Sequence, residues 1–236
     1  MSSVERGSKK KRTVKAAVVG ILPDLHIPKE DGAAVEWAVR ELKDFNLTKL
    51  ILLGDVISLD SVSRFQKSLS VRSSLPTEVA RGAEFLQYLE RKFPKIPKVY
   101  LQGNHEHRLS SYLLRHAPEL GELPTLMFRQ LLQVPQHWEV LDYGDFIKVE
   151  GFLVQHGRSW GQNAARRNLF LGCSVVQGHS HRYKVLAHRC AGSGQTQISC
   201  ELGCLCDFDQ GYSKLTDWSH AYGVITQQRL MTAVRY

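Results

Sequence analysis

The sequence contains no apolar run approaching the ~20 residues that a membrane-spanning helix needs. Its first residues, Met1 to Arg12, lack the apolar segment of a secretory signal. Both absences predict a soluble, cytoplasmic protein with no membrane partner. Cysteine is scarce: five among 236 residues, an odd number with no CxxC pair. Reduced thiols are expected, and Cys200, Cys204 and Cys206 read as small buried hydrophobes rather than a structural zinc cage. Internal repeats, low-complexity tracts and linker-like stretches are also missing. The expected organisation is one domain over residues 14–236 behind a flexible basic tail, residues 1–13. Acidic residues are in deficit, 23 against 31 basic ones, giving a net charge of +8 and a pI near 9.3. That balance suits a polyanionic partner such as nucleic acid. Part of the excess, Lys9, Lys10, Lys11, Arg12 and Lys15, sits in the tail.

What the chain does contain is a series of buried strands that stop at polar residues. Ala16 to Leu22 is continuously apolar, as in a strand covered on both faces, and ends at Pro23 and Asp24. Asp31 offers an N-cap to a helix running to about Phe45, with Val35, Ala38, Val39 and Leu42 on one stripe. A strand from Lys49 to Leu53 ends at Gly54 and Asp55. A helix from Pro76 to Phe93, carrying Val79, Leu86 and Leu89, then leads to the strand Lys98 to Gln102. This alternation predicts a parallel sheet with right-handed crossovers. From Arg108 to Leu132 the pattern is helical, broken by Pro118 and Pro124, and reads as an insertion over one edge of the site. Trp138 to Leu141, Phe146 to Val149 and Phe152 to Gln155, separated by Gly144 and Gly151, predict hairpins. Short strands continue at Cys173 to Gln177, Val185 to His188, Gln195 to Cys200, Gly223 to Thr226 and Arg229 to Arg235. The second half is therefore expected to build a second, mixed sheet packed on the first.

The polar residues at the strand ends are unusual in type. Asp24, His26, Asp55, Asn104, His156, His179 and His181 all follow strands at their carboxyl ends, where ligands gather in α/β sheets. Two carboxylates, an amide and four imidazoles suit manganese, iron, zinc or nickel. Seven side chains are too many for one metal and fit two that share a bridging carboxylate, a part that falls to Asp55. Metals ~3.5–4 Å apart clamp a phosphoryl group and activate a bridging water for in-line attack. His107, His116, His137, His188 and His220 lack such a context and read as ordinary.

The ordered series Asp24-x-His26, Gly54-Asp55, Gly103-Asn104-His105-Glu106, His156 and Gly178-His179-Ser180-His181 resembles the signature of the calcineurin-like metallophosphoesterases. Further runs, Ser63-Arg64-Phe65, Ala164-Ala165-Arg166, Gly203-Cys204-Leu205-Cys206 and Asp217-Trp218, look like the small bacteriophage-encoded members.

The resemblance implies a four-layer αββα sandwich with two mixed sheets and two divalent metals, manganese first among nickel, iron and zinc. One metal would be held by Asp24, His26, Asp55 and His181, the other by Asp55, Asn104, His156 and His179. His105 would protonate the leaving oxygen or stabilise the transition state. Ser58 stands where many members have an acid that orients this histidine, with Asp60 the candidate substitute; without one, the role of His105 as acid would lack its usual support. Arg64 and Arg108 are the expected contacts to phosphate oxygens. The implied activity is hydrolysis of a phosphate ester, a phosphodiester or nucleotide, by attack of a metal-bridging hydroxide. The alternatives are a nuclease of the same superfamily and a non-catalytic scaffold on the same fold.

Overall fold

A computed structural model describes residues 16–64, 74–159, 161–210 and 216–235 of the protein. The predicted basic tail, with Lys9 to Lys15, and Phe65 lie outside the described residues.

In chain order the regular elements are β1 (Val18–Leu22), α1 (Gly32–Asp44), β2 (Lys49–Leu52), α2 (Leu75–Lys92), β3 (Lys98–Leu101), α3 (His107–His116), α4 (Phe128–Leu131) and β4 (Glu139–Leu141). They continue with β5 (Phe146–Val149), β6 (Phe152–Gln155), α5 (Ala164–Asn168), β7 (Ser174–Gln177), β8 (Tyr183–Arg189), β9 (Thr196–Leu202), β10 (His220–Thr226) and β11 (Arg229–Arg235). Single 3-10 turns at Asp60–Val62, Pro118–Leu120, Pro124–Leu126 and Leu169–Leu171 bridge them.

Asp31 caps α1 through its side chain, accepting from Ala34 N, and the helix stops at Phe45. Ser74, one residue earlier than a helix starting at Pro76 would place its cap, caps α2 by accepting from Thr77 N. Both helices lay their apolar stripes on one face of the first sheet. Val35, Ala38, Val39, Leu42, Leu86 and Leu89 meet Leu22, Leu50, Leu52 and Tyr100 there. Alternate residues of the same strands, Val19, Ile21, Ile51, Leu53, Val99 and Leu101, pack the opposite face against Phe152, Val154, Val176 and Leu202 of the second sheet. This two-faced burial is why β1 to β3 read as continuous apolar runs. On the far side of the second sheet lies the five-residue α5, with buried Ala164 and Ala165. The order helix, sheet, sheet, helix makes an α/β sandwich of two mixed sheets, its outer helical layer much thinner than its first.

The first sheet has the order β11-β10-β1-β2-β3-β4 and the second β5-β6-β7-β9-β8. Two expectations are corrected here. The run at Trp138 to Leu141 forms no hairpin, because β4 pairs in parallel with β3, Tyr100 opposite Val140. The last two strands do not extend the second sheet. β10 pairs antiparallel with β1 and β11 with β10, which makes the first sheet mixed. Burial on both faces tells a strand that it is central without saying to which sheet it belongs, so the pattern of β10 could not decide this. Among the described residues no helix is long and apolar enough to cross a membrane.

Candidate metal centre

The parallel strands β1, β2 and β3 of one sheet, and β6 and β7 of the other, run out into loops that meet. Asp24 and His26 follow β1, Asp55 follows β2, Asn104 and His105 follow β3, His156 follows β6, and His179 and His181 follow β7. The first two loops zip together: His26 N donates to Asp55 O at 2.8 Å, and Ile27 N to Val56 O at 2.9 Å. Asp24, His26, Asp55, His179 and His181 all have positive φ, from 37° to 69°. Left-handed backbone at a non-glycine residue costs roughly 1 kcal/mol or more, and its concentration here marks a site where side-chain aim outweighs local comfort.

Glycines make room for these groups. A Cβ on Gly103 would lie 2.1 Å from Asp55 Oδ1, and one on Gly178 2.2 Å from Asp24 Oδ2. Two clusters result. The ligand atoms of Asp24, His26, Asp55 and His181 lie within 4.8 Å of one another, and Asp55, His156 and His179 form a second such group. Asp55 belongs to both. Asn104 joins the second group, its Oδ1 3.1 Å from His156 Nε2. All seven predicted side chains are therefore brought together.

The chemistry of these contacts bears on whether metal fits. His156 Nδ1 is 2.9 Å from Leu53 O, which fixes its proton there and turns the Nε2 lone pair inward. Nε2 then faces Asn104 Oδ1 at 3.1 Å and Asp55 Oδ2 at 3.4 Å, two oxygens that a proton on Nε2 or a cation in its place must bridge. His26 Nε2 and His181 Nε2 likewise stand 2.9 Å apart, with Asp24 Oδ1 3.5 Å from the latter. Acceptors converge in this way only around a proton or a cation. Burial opposes charge on His156, but the Asp55 carboxylate raises its pKa to about 10. Burial also works against the Asp55 charge, and the facing His105, His156 and His26 rings overcome it and hold the carboxyl well below its usual range. Among the described residues the buried His26 Nδ1 and His179 Nδ1 have no hydrogen-bond partner. The residues present fit divalent metal.

Glu106 braces the centre. Buried, it accepts from Asp55 N, Val56 N, Ile57 N, Gly103 N and the Tyr100 hydroxyl, at 2.7 to 3.2 Å. All five partners are donors, so the geometry selects the ionised carboxylate, although burial and Asp55 push its pKa up to about 7. Glu106 thereby ties its own loop to the Asp55 loop.

The expectation for Asp60 is corrected. Among the described residues no carboxylate takes the Nδ1 proton of His105; Nδ1 lies 2.8 Å from the Ser58 carbonyl oxygen and donates to it, while Nε2 stands 3.8 Å from Asp55 Oδ2. Asp60 pairs instead with Lys29 at 2.7 Å and Arg108 at 2.6 Å. The Arg108 guanidinium also donates to Ser58 O and to His105 Nε2, each at 2.8 Å. Burial, with Arg108 adding to it, lowers the His105 pKa to about 4 against the pull of Asp55. Arg64 and Arg108 both line a cleft of about 250 Å³ that opens beside Asn104.

Sequence reasoning missed two neighbours of His181. Its Nδ1 is 3.9 Å from Cys206 Sγ, and its ring meets Trp218 edge-on at 4.2 Å. The loop carrying Cys204 and Cys206 turns back over the site, Leu205 N donating to Asp24 O and Ser219 N to His181 O, both at 3.0 Å. The Cys-Leu-Cys spacing gave no sign of this, because the contact depends on a turn that closes 25 residues after His181.

No family model matches the chain. It is 25% identical over 224 residues to the Gene 54 protein of Mycobacterium phage D29, covering 87% of each chain. The Gene 54 protein of Mycobacterium phage L5 is 24% identical over the same length and share. Among solved structures, the chain is similar to Pseudomonas putida nuclease MPE, with 16% identity and a TM-score of 0.40 over 91% of this chain and 87% of that one. Vacuolar Protein Sorting 29 from Cryptosporidium parvum gives 14% identity and a TM-score of 0.44 over 93% and 97%.

Proposed function

We propose that the protein is a metal-dependent phosphoesterase acting on a phosphodiester or nucleotide. The observation that carries this reading is the pair of buried imidazole and carboxylate clusters that share Asp55, each with its ligand atoms within 4.8 Å of one another. Two divalent ions fit the two clusters that share Asp55, and manganese suits their mixed oxygen and imidazole donors, with nickel, iron and zinc as competitors. Bound metals supply Lewis acidity toward the phosphoryl oxygens and lower the pKa of an attacking water. Asp24, His26 and His181 would hold one ion beside Asp55, and Asn104, His156 and His179 would hold the other. The ring of His105, its Nδ1 held by the Ser58 carbonyl, accepts at Nε2 from Arg108 and so fixes the guanidinium, the cation that would meet the charge developing on the leaving oxygen. Arg64, which lines the cleft beside Asn104, is the contact for the non-bridging oxygens, with Arg108 held by Asp60, Ser58 and His105 at their edge. The mycobacteriophage relatives and the absence of any membrane-crossing helix among the described residues support work in the host cytoplasm.

The test is to strip the protein of metal, reload it with manganese, nickel, iron or zinc, and assay a mono-ester, a bis-ester, cyclic nucleotides and single- and double-stranded DNA. Hydrolysis that appears with metal and favours the diesters upholds the reading. Activity on the mono-ester alone overturns the diester preference, and full activity after exhaustive chelation overturns the metal requirement.

A further inference from the structure

The cleft beside Asn104 is not used up by the metal centre. Its wall is one face of α3, where His107, Arg108, Ser111 and Arg115 follow at helical spacing and so form a row. Asn104 and Arg64 line it as well. The two helical arginines are in different states. Arg108 is committed to Asp60, Ser58 and His105. Arg115 is exposed and pairs with no carboxylate among the described residues, its Nε donating to Ser111 O at 2.9 Å. Seven residues of helix separate them, about 10 Å along the axis. A volume near 250 Å³ is below that of pockets that enclose a whole ligand. It has room for one phosphate with part of its sugar, continuing from a scissile ester held next to Asn104. A guanidinium fork matches a phosphate, and the chain's net charge of +8 favours a polyanion.

We propose that this cleft is a subsite for a second phosphate of the substrate, with Arg115 as its outer contact. The substrate class is then a nucleotide ester that carries a phosphate beyond the one being cleaved, the terminal phosphate of a short nucleotide or the next phosphate of a single strand. This deepens the phosphoesterase reading and rests on it. Arg115 also lies in the last turn of α3, where any cation complements the helix dipole. The test therefore compares Arg115→Ala with Arg115→Lys, which keeps the charge and loses the fork.

Initial rates with manganese are measured on a thymidine dinucleotide with and without a terminal phosphate, and on longer oligothymidylates. In the parent protein the added phosphate raises kcat/KM; in R115A that gain shrinks about tenfold, and R115K recovers part of it. Gain from the terminal phosphate alone identifies a nucleotide, and further gain with length a strand; either upholds the subsite. An equal loss on both dinucleotides, or none, overturns it. Binding of fluorescein-labelled oligothymidylate to the metal-free protein, followed by anisotropy, reads the cleft without hydrolysis. Arg115→Ala should weaken it about tenfold and reduce the dependence of log K on log salt by about 0.7. If no ester is cleaved with any metal, the phosphoesterase reading falls. The anisotropy result then decides the subsite alone, an unchanged affinity in R115A overturning it.

Discussion

Replacing Glu106 by Gln alters one atom and leaves the shape intact. Oε1 accepts from Val56 N, Ile57 N and the Tyr100 hydroxyl, and Oε2 from Asp55 N and Gly103 N. The amide oxygen of Gln takes the side with three donors. Its NH2 then meets the N–H groups of Asp55 and Gly103, donor against donor. Each orphaned buried N–H costs about 1–3 kcal/mol, so the variant should lose about 4 kcal/mol. A domain of this size has about 5–15 kcal/mol in total. At roughly 2–4 °C per kcal/mol, Tm should fall by about 10 °C. Urea unfolding followed by circular dichroism, on metal-free protein so that metal linkage does not contribute, should show a lower midpoint at unchanged slope. Because Asp55 N is one of the two orphans, metal affinity should drop as well. A Tm within about 2 °C of the parent would refute the claim that Glu106 fastens the two loops.

Other substitutions separate metal holding from the rest of the site. Asp55→Ala and His156→Ala should abolish metal-dependent hydrolysis and lower bound metal, measured by plasma mass spectrometry after gel filtration. Normal metal content in either would contradict the ligand assignment. His105→Ala should keep its metal and lose at least about a hundredfold in kcat, the usual contribution of a group that handles the leaving oxygen. With the His156 pKa raised to about 10, the metal-free ring holds a proton at neutral pH that a metal at Nε2 must displace. Metal binding should therefore release protons and tighten as pH rises through the neutral range, which calorimetry in buffers of different ionisation enthalpy will detect. Cys200, Cys204 and Cys206 are buried while Cys173 and Cys190 are partly exposed, and burial pushes the Cys200 thiol up to about 12. Iodoacetamide should label two thiols in the native protein and five after denaturation, counted by mass spectrometry.

The features legible in the sequence were those governed by local rules. Asp31 as an N-cap, the stripe of α1 and the buried strands β1 to β3 follow from side-chain period and capping. The gathering of the seven candidate ligands was legible because each lies in the loop after a strand, and strand ends of one sheet converge. What lay beyond reach depends on contacts distant in sequence. β10 is buried on both faces in either sheet, so its pairing with β1 is a tertiary choice. Asp60 has the right charge to orient His105, yet Lys29 and Arg108 claim it, and a backbone carbonyl, invisible in the sequence, takes the role. The left-handed backbone at five ligand residues is equally silent, since Asp and His adopt it without a glycine to announce it.

The sharing of Asp55 between two clusters is the centre of the account. Titration of metal-free protein with Mn(II), followed by electron paramagnetic resonance, addresses it directly. Two ions per chain with an exchange-coupled signal, replaced in Asp55→Ala by weaker binding and the loss of that coupling, is the expected result. One uncoupled ion per chain in the parent protein, or none, would contradict it.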